Sequence, residues 1–256
     1  MSTGPRTLFF LSDFGTADAY VGVVEGVIAR LAPNARVVHL THGVPPQDLR
    51  NGAWQLYAAA PHLPGGSIVL AVVDPGVGSN RRAVVVETAN LLFVAPDNGL
   101  LDPVFTLEPP HRAYALENPG YRLKDVSSTF HGRDVFGPAA AHLSGSVTAS
   151  DMGPAVPVDD LERLGVTPTD GPDGEVWTFD RFGNAITTLR APEVRPSTVT
   201  IAERAVPFVT HYAAVPRGEL LALEGSSGLI EVSVREGSAR ERLGLRSDVS
   251  IPVRRG

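Results

Sequence analysis

Residues 128–136, Ser-Thr-Phe-His-Gly-Arg-Asp-Val-Phe, set His131, Arg133 and Asp134 within four positions, ahead of the apolar Gly-Pro-Ala-Ala-Ala-His-Leu. Two readings stand side by side. The stretch is a charged turn opening a helix, with Asp134 in the first turn where the helix dipole favours an acid, or its groups are held for proton transfer. Two more carboxylates, Asp13 and Asp74, follow the apolar runs LFFLS and IVLAVV, and both precede glycine closely, in DFG and DPGVG. Glycine permits tight turns and close approach of backbone to a ligand. Such aspartates can simply cap a turn. At the carboxyl ends of parallel strands they also stand where open α/β sheets bind ligands. Farther on, FDRFGNAIT (179–187) places Asp180 and Asn184 around an aromatic and a glycine. That is a turn satisfied by its own side chains, or a ligand edge where an amide meets a purine and a carboxylate meets an ammonium.

Other chemistries find less support. GVGS after a strand lacks the third glycine of a dinucleotide fingerprint, because Arg81 stands there, and no phosphate-loop lysine follows. GSSG (225–228) is not a nucleophile elbow. His39 and His42 lie three apart on an expected strand, where they face opposite sides, which argues against a metal site. His62, His111, His142 and His211 are isolated in sequence. The absence of cysteine excludes disulfides, thiolate catalysis and cysteine-type zinc sites, and fits a reducing compartment.

Placing these groups requires particular elements. Short apolar runs alternate with helical patterns: strands are expected at 7–14, 36–41 and 67–76, helices at 19–33 and 47–61, each helix stopped by a proline. RAVVVET (82–88) and LLFVAP (91–96) form a hairpin pattern around Ala-Asn. The alternation argues for a layered α/β domain with a mostly parallel sheet. After residue 151 the chain turns rich in Pro, Gly and Asp, then continues as short β-like segments spaced by turn residues, as in a small all-β barrel. The expected organisation is an N-terminal α/β domain at 1–155, a linker at 156–174 and a smaller C-terminal all-β barrel domain at 175–256.

With 256 residues, 43% hydrophobic and 20% charged, the composition is that of a globular chain. The net charge of −6, with acids and bases mixed, argues against a nucleic-acid partner. No apolar run approaches the roughly 18 residues of a membrane span. The N-terminal apolar run is too short for a signal peptide and is broken by an aspartate. A cytoplasmic protein without a membrane partner is expected.

Six motifs run in order along nearly the whole chain: SDFGTADAYVG, VVDPGVGSNRRAV, FVAPDNGLL, TFHGRDVFGPAAA, DRFGNAIT and GSSGLIEVSV. Together they resemble the S-adenosyl-L-methionine hydroxide adenosyltransferases, relatives of the 5′-fluoro- and 5′-chloro-5′-deoxyadenosine synthases. The resemblance implies a homotrimer with active sites at subunit interfaces. It also implies a reaction in which water attacks C5′ of S-adenosyl-L-methionine (SAM), giving adenosine and L-methionine. Asp74, Arg81 and His131 match the family's catalytic Asp–Arg–His set. Asp13 matches the aspartate that grips the ribose diol. Asp18, Asp180 and Ser226 match groups around the methionine end. Phe182 and Asn184 match adenine-side contacts, and Tyr212 a stacking ring. Halogenating relatives carry an arginine after the serine of the GSSG region, where this chain has Ser227, and the fluorinating enzymes have an extra N-domain loop that this chain lacks between DNGLL and TFHG. Water rather than halide is therefore the expected nucleophile. A SAM-dependent halide adenosyltransferase and a non-catalytic SAM- or adenosine-binding protein are the alternatives.

The implied chemistry suits these residue types. A sulfonium makes C5′ electrophilic and departs as a neutral thioether, so no metal or redox cofactor is expected. Water is the weak partner: it must be held in line and lose a proton as it attacks. Asp74 or His131 can accept that proton, and Arg81 can stabilise charge on the oxygen or on Asp74. The sequence leaves the choice between them open.

Overall fold

The computed structural model of the protein describes residues 6–193, 196–246 and 251–256. The chain divides into two compact units, one running to Gly165 and the other from Val166 to Gly256.

The first unit is built on a seven-stranded sheet in the order β2-β1-β3-β5-β4-β6-β7. Strands β1 (Leu8–Ser12), β2 (Val37–Thr41), β3 (Ile68–Val72) and β5 (Leu92–Pro96) run parallel. Strands β4 (Ala83–Glu87), β6 (Arg112–Ala115) and β7 (Ala155–Val156) extend it antiparallel. Strands β1 and β3 are buried along their whole length, which explains their unbroken apolar sequences. Leu8, Phe10, Ile68, Leu70 and Val94 face one core with Val24 and Ile28 of helix α1 (Tyr20–Leu31) and Leu143 of helix α3 (Gly137–Ser144). The alternate residues Phe9, Leu11, Val69 and Ala71 are buried on the other face. Helix α2 (Leu49–Ala59) starts at Asp48, whose carboxylate accepts the Asn51 N–H at 2.9 Å. Because β1 leads outward to β2 and the chain then crosses to β3, the topological switch point lies between β1 and β3, the crevice where such sheets take ligands.

The stretch 156–174, expected as a linker, is fastened at both ends. Val156 pairs with Ala113 of β6. Glu162 N–H donates to Asp97 at 2.8 Å and Leu164 N–H to Asp102 at 3.0 Å, so the chain belongs to the first unit up to Gly165. From Val166 it belongs to the second, where Thr169 N–H donates to the Thr188 carbonyl at 2.8 Å.

The second unit is an antiparallel sheet in the order β11-β10-β14-β8-β9-β13-β12. Its strands are β8 (Asp173–Phe179), β9 (Ala185–Arg190), β10 (Thr198–Ile201), β11 (Arg204–Pro207), β12 (Leu220–Glu224), β13 (Leu229–Val234) and β14 (Pro252–Arg255). Phe208, just past β11, bridges to Ala222 of β12 and nearly closes the sheet into a barrel. Inside lie Val176, Leu189, Val199, Ile201, Ile230 and Val232. A short helix, α4 (Ala239–Leu243), is capped by Ser238 and ends at Gly244 in the left-handed conformation.

Candidate active site

Asp74 lies just beyond β3, and Arg81 ends the glycine-rich turn that follows it. Arg81 Nε donates to Asp74 Oδ1 at 2.8 Å, and Nη2 donates to Oδ2 of the same carboxylate. Nη2 also donates to His131 Nδ1 at 2.8 Å. The three expected catalytic residues thus form one connected group, with side-chain exposure of only 6% for Asp74 and 9% for Arg81. A guanidinium only donates, so Nδ1 of His131 is an acceptor and a neutral ring carries its proton on Nε2. Burial, followed by the Arg81 charge, holds the His131 pKa below the ordinary imidazole value against the opposing pull of Asp74 and Asp134. The Arg81 guanidinium carbon also lies 5.2 Å from the centroid of the Phe136 ring, within cation–π range.

Backbone geometry brings this group together. Gly78 has φ +78°, and a Cβ there would stand 2.3 Å from the Ser128 carbonyl oxygen, so glycine lets the 74–81 turn close on the loop that carries His131. His131 caps a π-helical turn, Gly132–Phe136. Pro138 lacks the N–H that an α-helix would direct at the Asp134 carbonyl, and that carbonyl accepts the Leu123 N–H at 2.8 Å instead. Asp134 is fully buried; it accepts from Arg133 Nε at 2.6 Å and from the Ser127 N–H at 2.8 Å. Arg133 and Asp134 therefore hold the loop, and His131 alone of the trio in HGRD reaches Arg81. Arg82 turns away: its Nε donates to buried Asp97 at 2.7 Å.

Asp13 follows β1 on the other side of the switch point, and its Oδ2 accepts the Gln47 N–H at 2.8 Å. The next residue, Phe14, stacks edge-on against Phe130 at 5.8 Å, and a Cβ on Gly132 would touch its ring. The loops carrying Asp13 and His131 are thus packed together. Asp18 is exposed in the turn before α1.

In the second unit, Asp180, Phe182 and Asn184 share one turn. Asp180 Oδ1 accepts the N–H groups of Phe182 and Asn184, both at 2.9 Å, and Oδ2 accepts from the Asn184 amide at 2.8 Å. The structure shows the turn reading: the carboxylate shapes a turn that leaves Phe182 74% exposed. Tyr212 is half exposed, and its hydroxyl donates to Glu231 at 2.6 Å. Burial, that hydrogen bond and the charges of Glu231 and Asp180 raise its pKa. Ser226 is exposed on the β12–β13 turn.

Several supporting groups escape sequence reasoning. Asn98 donates to the carbonyl of Val73, next to Asp74, at 2.9 Å; its DNG context reads only as a turn. The expectation that His39 and His42 face opposite sides is corrected. Strand β2 ends at Thr41, the chain turns, and His39 Nδ1 lies 2.6 Å from His42 Nε2. Among the described residues no group of three or more His, Cys, Asp or Glu is arranged to hold a metal ion, and no helix is long and apolar enough to cross a membrane.

The family model for the SAM hydroxide adenosyltransferase N-terminal domain matches residues 8–153, and that for the C-terminal domain matches residues 174–251. The chain is 51% identical to the (R)-S-adenosyl-L-methionine hydrolase of Thermus thermophilus, over 97% of this chain and 99% of that one. It is also similar to the crystal structure of a conserved hypothetical protein from the same organism, with TM-score 0.87 and 50% identity over 98% of this chain and all of that one. A fluorinase from Actinoplanes sp. is more distant, at 22% identity over 69% of this chain and 72% of its own. The chain belongs to the SAM hydroxide adenosyltransferase family.

Proposed function

We propose that this chain is a SAM hydrolase: an activated water attacks C5′ of S-adenosyl-L-methionine, the C5′–S bond breaks, and adenosine and L-methionine leave. The observation that carries this reading is the Arg81 guanidinium held between the Asp74 carboxylate and the His131 imidazole. With Nδ1 engaged by Arg81, His131 presents Nε2–H as a donor to the water oxygen and has no free lone pair. Asp74 keeps one unused lone pair on each oxygen beside its bonds to Arg81, so Asp74 is the group that accepts the water's proton. The Arg81 charge stabilises hydroxide character as the proton leaves. Holding the water in line removes much of the entropic barrier, on the order of 7–11 kcal/mol for well-oriented reactants.

Asp13 is read as the ribose-diol acceptor, Asp18, Asp180 and Ser226 as groups around the methionine end, and Phe182, Asn184 and Tyr212 as groups around adenine. The family resemblance supports these roles, as it supports a homotrimer with active sites at subunit interfaces. We place the protein in the cytoplasm. No cofactor enters the reaction, because the sulfonium is already a good leaving group.

Turnover in 18O-water tests the reading. Adenosine carrying one 18O atom and stoichiometric methionine are expected, at a rate indifferent to chelators. Unlabelled adenosine, 5′-chloro-5′-deoxyadenosine made only when chloride is present, or intact SAM recovered after long incubation would each overturn it; the last two outcomes mark a halide transferase and a binding protein.

A further inference from the structure

A hydrogen-bonded chain of side chains runs from the surface to the base of the Asp13 loop. Glu25 of α1 meets His39 Nε2 at 2.9 Å, His39 Nδ1 meets His42 Nε2 at 2.6 Å, and His42 Nδ1 meets Ser12 Oγ at 2.7 Å. The Phe14 N–H donates to that same Oγ at 3.3 Å, and the Gly15 N–H donates to the His42 carbonyl at 2.8 Å. Asp13 therefore sits between Ser12 and Gly15, both hydrogen-bonded to His42, while the Phe14 N–H closes the turn onto Ser12. Ser12 has no exposed surface, so it cannot act as a nucleophile on a ligand. The mechanism uses none of these four side chains.

We infer that Ser12 and His42 are positioning residues for Asp13, and that Glu25, through His39, sets the direction of the chain. This rests on the reading of Asp13 as the ribose contact. The direction follows from donor and acceptor balance. A carboxylate accepts, so His39 donates from Nε2. A neutral His39 then accepts at Nδ1, so His42 donates from Nε2. A neutral His42 accepts at Nδ1, so the Ser12 hydroxyl donates to it and its oxygen stays free for the Phe14 N–H. Every group is satisfied, and both rings are neutral Nε2–H tautomers.

The opposite direction, in which His42 carries its proton on Nδ1 and donates to Ser12, would leave the Ser12 hydroxyl hydrogen without an acceptor among the described residues. Glu25 from α1 and His39 from β2 are the ionisable groups that face His42; from β1 it meets the Phe10 ring at 4.6 Å. Burial and His39 lower the His42 pKa to about 4, which fits a neutral link in the chain.

Two measurements test the inference. Histidine 15N NMR of the wild-type protein reads the tautomers whether or not SAM is a substrate. Nε2–H forms of both rings at neutral pH are expected; Nδ1–H on His42 would refute the stated direction. Steady-state kinetics on SAM read the positioning. Ser12→Ala and His42→Phe should raise KM about tenfold, the equivalent of one buried hydrogen bond, with kcat changed less than about threefold. His42→Asn puts an amide near the position of Nδ1 and should keep KM within about threefold of wild type. A KM that stays unchanged in Ser12→Ala, or a His42→Asn protein as impaired as His42→Phe, would reduce the chain to a structural role. If His42→Phe does not fold, Ser12→Ala decides the matter alone. Absence of wild-type turnover would instead strike the functional reading and, with it, the role given to Asp13.

Discussion

Arg81 and Arg82 are neighbours in sequence with opposite jobs, and substitution should separate them. Arg81→Lys keeps the charge but loses the fork that grips both Asp74 oxygens and the donor to His131. The expected result is a kcat lower by about 10²-fold or more, with KM changed by less than about fivefold and an unchanged melting temperature. Arg82→Ala leaves the Asp97 carboxylate, 4% exposed, without its cation. A loss of about 2–4 kcal/mol in urea unfolding is expected, with kcat of the folded fraction close to wild type. The resemblance points to Arg81, and the tight turn after Asp74 brings the Arg81 guanidinium to His131 while Arg82 turns to Asp97. Other residues were illegible for a definite reason. Period-two alternation separates His39 from His42 only while the strand continues, and β2 stops at Thr41. The partners Glu25 and Ser12 lie 14 and 30 residues from their histidines, and no local pattern announces such contacts.

At the scale of elements, the strands and helices of the first unit follow their apolar patterns closely, because a sheet buried on both faces leaves few choices. What the pattern hid was the π-helical turn after His131. Its residues read as an ordinary helix start, and only the proline at 138, acting on a carbonyl four residues earlier, marks the irregularity. The placement of the aspartates at 13 and 74 beyond the carboxyl ends of β1 and β3 was legible, because each follows an unbroken apolar run. The meeting of the 74–81 turn with the 127–131 loop was not, since it depends on a single missing Cβ. Gly78→Ala tests that meeting. Its φ of +78° and the Ser128 oxygen at 2.3 Å both oppose a side chain, so one loop must shift. A shift near 1 Å between Arg81 and His131 should lower kcat by roughly 10–100-fold while far-UV circular dichroism stays native. Gly66→Ala is the control: φ is +83° but nothing lies within 4 Å of the added Cβ, so about 1 kcal/mol of stability should be lost and kcat kept. Equal effects on kcat from both variants would show that backbone strain, not the loop contact, governs the rate.

For the whole molecule, three wholly or partly buried histidines tie folding to pH with one sign. Burial lowers the pKa of His42 to about 4, and lowers those of His131 and His142 as well. The unfolded chain, with imidazoles near their ordinary value, binds more protons than the folded one in this range, so stability rises with pH and falls as pH drops from about 6.5 towards 4. His42 alone accounts for at most about 2 kcal/mol between pH 7 and pH 5 on these values. Asp134 adds a loss of the same sign at lower pH: its carboxyl, held below the ordinary range by Arg133 and the Ser127 N–H against the opposing effect of burial, must be protonated as the pH falls past the usual carboxylate value. Urea midpoints measured between pH 8 and pH 4 should therefore decline steadily on the acid side. His42→Asn, though less stable at neutral pH, should show a visibly flatter decline, because one of the three imidazoles no longer has to be charged. Parallel curves for the two proteins would mean that His42 titrates alike in the folded and unfolded chains, and would remove the neutral link on which the direction of the Glu25-to-Ser12 chain depends.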